Sequence, residues 1–373
     1  PLLQSINNSN TDRVCVCARV CACHSMSSDA HKAKKQKLLI PEIILKEKLV
    51  KKADVFKGAR VQICAFNVAG LRAMIKNKPE TFRRIVQSTE CDVLMFSEHK
   101  LNEENCEDVR LELRKVLPEF MTCEFAVSKA KKGYSGVCVL AKAKIAGASV
   151  GSPMKQKTLT DMFGAQRQQQ KEENGTGEYG GPKILSVKEG LLEKKHLEEG
   201  RCLTIEFEKF FAVFAYVPNS GQKLDRLDWR INTWEADMRE HLNELQKSKP
   251  TVYGGDLNVA HLDIDVYNID AKHIPKSAGT TPQEREAFQV MLNDCKMKDC
   301  FRHFNAEKTG HFSYWSQRVG NRPKNRGLRL DYFLASDSMF DENSAVRVVS
   351  SEIFTELEGS DHAPVTITLD VVL

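Results

Sequence analysis

The chain has 373 residues, 41% of them hydrophobic, which is enough to bury a large core. No segment approaches the roughly 18 uninterrupted apolar residues of a membrane-spanning helix, so no membrane partner is expected. The net charge of +5 is unevenly placed: residues 1–52 carry about ten Lys and Arg against about four Asp and Glu, leaving the rest close to neutral. Any face that binds a polyanion must therefore be local.

In chain order, the first unusual stretch is VCVCARVCACH, with Cys15, Cys17, Cys21 and Cys23. It lacks the CxxC spacing and the distant second pair of a zinc site. Val, Cys, Ala, Arg and His have codons that form an alternating purine–pyrimidine repeat, so the run reads as translated upstream sequence. Residues 1–25 are expected to be a non-native leader, with Met26 as the start. Residues 26–56 are polar and lysine-rich, densest at HKAKKQK (31–37), and are expected to form a disordered basic tail. The cysteines in ICAF and GVCVL read as small apolar core residues of a reduced protein.

From residue 57 onward, strand-like runs alternate with helical patterns, as in layered α/β proteins. The runs VQICAFN, DVLMFSE, TVYGGDLN and LRLDYF bring Asn67, Glu98, Asp256 with Asn258, and Asp331 to strand ends, and Asp361 with His362 follows. Residues 151–198 interrupt the pattern, and QRQQQKEENGTGEYGG (166–181) is too polar and glycine-rich for a core. An inserted loop is expected there, removable without loss of the fold. Residues 225–246 place Leu227, Ile231, Trp234, Met238, Leu242 and Leu245 at three-to-four spacing, which predicts a helix with one face on a sheet. Trp234 then belongs to the core.

A single acid or amide at a strand end is ordinarily a turn or capping residue. Five such placements together indicate a site for a hard cation and a phosphate, because ligands gather at strand carboxyl ends in layered α/β folds. Oxygen donors without cysteine or paired histidines favour Mg2+, with Mn2+ able to substitute, over Zn2+.

The motifs NVAGLRA (67–73), SEHK (97–100), GYSGV (133–137), AYVPNSG (215–221), GGDLNVAH (254–261), AGTTPQER (278–285), LRLDYFLAS (328–336) and GSDHAPV (359–365) also carry a resemblance. In this order they resemble the exonuclease III type apurinic/apyrimidinic (AP) endonucleases of the DNase I-like endonuclease/exonuclease/phosphatase superfamily. A lone GDLN would not distinguish these from other members; the combination does. The resemblance implies a four-layer α/β sandwich over residues 57–373, two β-sheets face to face flanked by helices, with the site at one rim. It implies a Mg2+-dependent class II AP endonuclease of base excision repair that cuts 5′ to abasic sites, leaving a 3′-hydroxyl and a 5′-deoxyribose phosphate. The alternatives are a 3′ repair exonuclease or phosphodiesterase with weak abasic-site preference, and a DNA-binding scaffold that has lost catalysis. The intact acids argue against the scaffold, since buried acids are costly to keep without use. The expected partner is duplex DNA with abasic or 3′-blocked lesions. The expected state is a monomer, in the nucleus, with mitochondria as the second location.

By the same resemblance, Glu98, Asn67 and Asp361 would hold the metal. Asp256 would deprotonate or orient the attacking water, Asn258 would contact the scissile phosphate, and His362 would donate to a phosphate oxygen while Asp331 orients its ring. Tyr216 and Asn219 would complete the phosphate pocket and Tyr134 would contact the DNA backbone. Tyr314, Leu328 and Leu330 would line the pocket for an extruded sugar, and Arg318 would reach into the duplex. The chain departs from the family pattern at Ala69, Ser97, Gln222 and Leu328, where acids or amides, glutamine, arginine and an aromatic respectively are usual. Finally, QKTLTDMF (156–163) resembles a sliding-clamp-binding box through Gln156, Leu159, Met162 and Phe163, so a sliding clamp is a candidate partner.

Overall fold

Side-chain alternation along the twelve strands of the described residues sets the layering. The computed structural model describes residues 58–146, 180–192 and 195–372, all within the compact unit Phe56–Leu373. One sheet contains β1 (Gly58–Asn67), β2 (Val93–Ser97), β3 (Thr122–Ala126), β4 (Val137–Ala141), β11 (Val346–Ile353) and β12 (Val365–Val372), in the order β11-β12-β1-β2-β4-β3. The other contains β5 (Ile184–Glu189), β6 (Cys202–Phe207), β7 (Phe211–Tyr216), β8 (Thr251–Asp256), β9 (Met297–Asp299) and β10 (Asp331–Ser336), in the order β5-β6-β7-β8-β10-β9. Each sheet has one parallel pair, β1 with β2 and β7 with β8. A parallel pair needs a crossover, supplied by the helices Leu71–Asn77 and Pro79–Thr89 in the first sheet and by the helical segment ending at Gln246 in the second.

Along β1, Val61, Ile63 and Ala65 point between the sheets, where they meet Val93, Met95, Phe214, Val252 and Phe333. Cys64 and Phe66 point the other way, onto Phe82, Ile85 and Leu113 of the covering helices. On the second sheet Val213, Tyr253 and Leu334 face Trp234, Met238, Leu242 and Phe288. The result is the four-layer sandwich expected. At Gly255, with φ +126°, an added Cβ would fall 2.1 Å from the Ala215 carbonyl oxygen and 2.6 Å from Met95 Cε of the opposite sheet. Only glycine lets the sheets approach there.

Three local differences bear on the site. The 225–246 helix forms, and Trp234 is buried in the core as expected, but its middle, Arg230–Glu235, is a π-turn. There Arg230 turns inward to bond the Leu257 and Asn258 carbonyls, and such inserts commonly accompany a functional contact. Asp331 opens β10 rather than closing a strand, and it still reaches the rim because β10 runs antiparallel to β8. The insertion is shorter than 151–198: Ile184–Glu189 is the edge strand β5, paired with β6, and Ile184 is wholly buried. The KILSVKE run pairs as a strand, with Ile184 turned into the core. Residues 1–57 and 147–179, including the leader, the basic tail and the clamp-like box of Gln156, Leu159, Met162 and Phe163, lie outside the described residues. No helix among the described residues is long and apolar enough to cross a membrane.

Candidate active site

Strand register brings the site together. In the second sheet Tyr216 pairs with Asp256, and Asp256 with Asp331, so three adjacent strands present a tyrosine and two acids at one edge. In the first sheet Asn67 pairs with Ser97, placing Asn67 beside the turn that carries Glu98. That turn is conformationally unusual. Ala69, Glu98, Lys100, Ser135 and Asn258 all take φ between +50° and +55°, a region that costs non-glycine residues of order 1 kcal/mol each and clusters at functional sites. Hydrogen bonds from the backbone hold it: Lys100 N–H donates to the Ser135 carbonyl at 2.9 Å, and Ala69 N–H to the Asn67 side-chain Oδ1 at 2.9 Å. Gly136 leaves room for the His99 ring, which a Cβ would meet at 2.2 Å.

Asp256 is the hub. Asn67 Nδ2 donates to Asp256 Oδ2 at 2.9 Å and to Glu98 Oε1 at 3.2 Å, joining the two sheets. On the other side His362 Nε2 lies 3.8 Å from Asp256 Oδ2, and His362 Nδ1 is 2.7 Å from Asp331 Oδ2. One carboxylate oxygen each of Asp256 and Asp331 and one His362 ring nitrogen fall within 4.8 Å of one another, and all three residues are buried. Burial and the Asp331 charge push the Asp256 carboxyl above the usual carboxylate range. Burial works to lower the His362 pKa, but the flanking carboxylates of Asp331 and Asp256 outweigh it, so the imidazole holds its proton more tightly than an ordinary histidine.

Glu98 lies in the opposite electrostatic setting. Burial would raise its pKa, but Tyr216 Oη donates to Oε1 at 2.6 Å and Lys100 Nζ sits 2.9 Å from Oε2, so it is held below the usual range as a carboxylate. Asn258 is fixed on all sides: its N–H donates to Asp256 Oδ1 at 3.0 Å, Nδ2 donates to the Val217 carbonyl at 2.9 Å, and Oδ1 accepts from Asn219 Nδ2 at 3.0 Å. Tyr314 leans on His362 with ring centroids 4.9 Å apart, and gathers with Leu328 and Leu330 in an apolar cluster. Asn67, Glu98, Tyr216, Asn219, Asp256, Asn258, Asp331, His362 and Tyr314 thus form one connected rim. Asp361 stands outside the buried trio, its Oδ1 accepting from Ser360 Oγ at 3.1 Å. Arg318 is exposed on a short turn.

The donor set suits a hard divalent cation. Glu98 offers an anionic carboxylate and Asp331 Oδ1 is buried without a hydrogen-bond partner, whereas Asn67 turns its Nδ2 toward Glu98 and Asp256 while its Oδ1 accepts from the Ala69 N–H. Of the departures, Ser97 Oγ is likewise buried and unpartnered, while Ala69 occupies a left-handed position that acids and amides adopt more readily.

Several supporting residues escape sequence reading. Arg230 and Glu284, both fully buried, pair at 3.0 Å beneath the Asn258 loop. Glu284 also accepts from Ser220 Oγ and from the Gly279 N–H. The signal for Glu284 is its place in the capping box begun by Thr281, which also receives the Glu284 N–H. Arg230 has no comparable local signal. Arg201 and Arg226 converge on Tyr134.

Residues 64–362 match the Endonuclease/Exonuclease/phosphatase family. The chain is 32% identical over 313 residues to a protein of Dictyostelium discoideum named DNA-(apurinic or apyrimidinic site) endonuclease, covering 84% of this chain and 71% of that one. It is 31% identical over 313 residues to a Bacillus subtilis exodeoxyribonuclease, covering 83% of this chain and all of that one. Among solved structures, the Leishmania major AP endonuclease superposes with a TM-score of 0.64 at 26% identity, over 83% of this chain and 88% of that one. The chain is therefore an enzyme of the endonuclease/exonuclease/phosphatase family, in its exonuclease III type AP endonuclease branch.

Proposed function

We propose that this enzyme is a Mg2+-dependent class II AP endonuclease that hydrolyses duplex DNA 5′ to an abasic site, acting as a monomer in the nucleus. The observation that carries the reading is the position of Asp256, bonded through Asn67 to Glu98 on one side and 3.8 Å from His362 on the other. Glu98, with Asp361 at the same rim, would hold the cation, and Asn67 would orient the Glu98 carboxylate through Nδ2; the cation when bound supplies neutralisation of the charge developing on the phosphate. Asp256, its proton affinity raised by burial, takes a proton from the attacking water. The water oxygen forms a bond to phosphorus while the bond to the preceding 3′-oxygen breaks; that oxygen takes a proton from solvent, giving a 3′-hydroxyl and a 5′-deoxyribose phosphate. His362, oriented by Asp331 and kept protonated by the Asp331 and Asp256 carboxylates, donates to a non-bridging phosphate oxygen. Asn258 donates alongside, and Tyr314, Leu328 and Leu330 wall the space for the extruded sugar.

A second reading, a 3′ repair exonuclease with weak abasic-site preference, is favoured by the name of the B. subtilis relative and by Gln222 and Leu328, which give less grip on the groove and sugar. The test is Mg2+-dependent cleavage of a duplex with one tetrahydrofuran lesion beside an undamaged duplex with a recessed 3′ end. Incision 5′ to the lesion that outpaces removal of 3′ nucleotides is the expected result. The reverse order replaces the leading reading with the second, and DNA binding without either cut indicates a scaffold.

A further inference from the structure

One buried guanidinium grips two tyrosines of the site. The Arg201 side chain is 2% exposed, and its guanidinium carbon lies 5.2 Å from the Tyr134 ring centroid and 4.7 Å from that of Tyr216. Nη2 donates to Tyr134 Oη at 2.7 Å, Nη1 to the Tyr216 carbonyl at 3.1 Å, and Nε to Glu199. Arg226 supports the same point: Nη1 donates to Tyr134 Oη at 3.0 Å and Nη2 to Glu199 Oε1 at 3.0 Å, with its guanidinium 4.6 Å from the Trp229 ring.

The consequence for Tyr134 follows from counting its hydroxyl. A phenol oxygen has two acceptor positions and one hydrogen. Two guanidinium donors fill the acceptor positions, so the hydrogen is what the half-buried Tyr134 has left to offer, and the two adjacent positive charges strengthen it as a donor. Tyr216, clamped by its ring and carbonyl, turns its own hydroxyl onto Glu98 at 2.6 Å. A planar fork can stack on two rings and bond edgewise at once, which an ammonium cannot.

We infer that Arg201 is a positioning residue that couples grip on the substrate backbone, through Tyr134, to placement of the Glu98 carboxylate, through Tyr216, with Arg226 committing the Tyr134 hydroxyl to donate to a phosphate oxygen. The inference rests on the phosphodiesterase reading above. Arg201 itself is buried and bonded within the protein, so it acts on the substrate only through the tyrosines.

The test compares Arg201→Lys, Tyr134→Phe, Tyr216→Phe and the doubles R201K/Y134F and R201K/Y216F. Affinity for a lesion-containing duplex is read in EDTA by fluorescence anisotropy, and the single-turnover rate at saturating DNA and Mg2+ is read separately. Tyr134→Phe should weaken affinity and Tyr216→Phe should slow the rate, each about tenfold, whereas Arg201→Lys should do both. In the doubles, Arg201→Lys should add little affinity loss to Tyr134→Phe and little rate loss to Tyr216→Phe. An Arg201→Lys protein that merely melts at lower temperature, or losses that add fully in both doubles, would overturn the inference. Should Arg201→Lys fail to fold, Arg226→Gln, at a half-buried site, carries the Tyr134 half of the test: it must weaken EDTA affinity alone, and not further in Y134F/R226Q. A parent protein that binds but never cuts refutes the phosphodiesterase reading instead, and the EDTA measurements still decide the coupling at Tyr134.

Discussion

Burial and a second carboxylate raise the Asp256 proton affinity, whereas hydrogen bonds keep Glu98 ionised, so two acids joined through one Asn67 amide have opposite characters. Such divergence marks acid–base and ligand roles. Asp256→Asn keeps the shape but removes the proposed base, and should slow single-turnover cleavage roughly a hundredfold or more while leaving DNA affinity within a few-fold. Retention of more than half the parent rate would remove Asp256 from that role. Glu98→Gln should raise the Mg2+ concentration giving half-maximal activity, because a neutral amide holds a hard cation less well. An unchanged metal titration would shift the main ligand role to Asp361. These residues are legible in the sequence because acids and amides at the ends of apolar runs have no packing reason to be there. Ser97 and Ala69 are legible only as departures from a pattern; that Ser97 Oγ has no partner depends on side chains from other elements.

At the scale of elements, the Asn258 loop is held from below by the π-turn of one helix and the first turn of another. Arg230 and Glu284 are wholly buried and exchange bonds with Glu235, Ser220, Gly279 and the loop carbonyls. Removing one partner strands a buried charge, so Arg230→Met or Glu284→Gln should destabilise the protein by about 3–5 kcal/mol, measurable by urea unfolding. A loss under about 1 kcal/mol would show that the network relaxes. The helix itself, the strands and the sandwich follow from apolar periodicity, which is local. The Arg230–Glu284 pair joins residues 54 positions apart, and no spacing rule reports such a contact. β5 was hidden for a different reason: its short run abuts a long polar one, and composition averaged over both reads as loop.

For the whole molecule, acid lability should come partly from histidines buried as neutral bases. His241, with its Nε2 against Thr204 Oγ1 at 3.0 Å, is pushed down to about 4 by burial. The unfolded chain takes up that proton near pH 6.5 while the folded one resists until about pH 4. Stability is therefore complete above the unfolded value and falls as pH drops through that window, by up to about 3 kcal/mol from this group. His241→Gln should flatten the dependence of the urea midpoint between pH 6.5 and 4; an unchanged slope would place the lability elsewhere. A second expectation concerns the insertion. Ile145 forms a parallel bridge with Ile184, and Ala146 N–H donates to the Ile184 carbonyl at 2.8 Å, so the chain between them leaves and returns to nearly the same point. Replacing residues 149–179 by a short Gly/Ser linker should leave the melting temperature within a few degrees.

That same bridge makes the enzyme divisible. A nick between Ala146 and Gly180 yields one piece with Asn67 and Glu98 and another with Asp256, Asp331 and His362, so neither piece owns a whole site. The larger piece keeps β12, which pairs with β1 of the smaller along eight residues from Gly58 opposite Val372 to Ala65 opposite Val365. Strand addition and the apolar layer between the sheets should drive reassembly. Incision would then become a readout of fragment complementation, silent in each half and restored when the two are mixed.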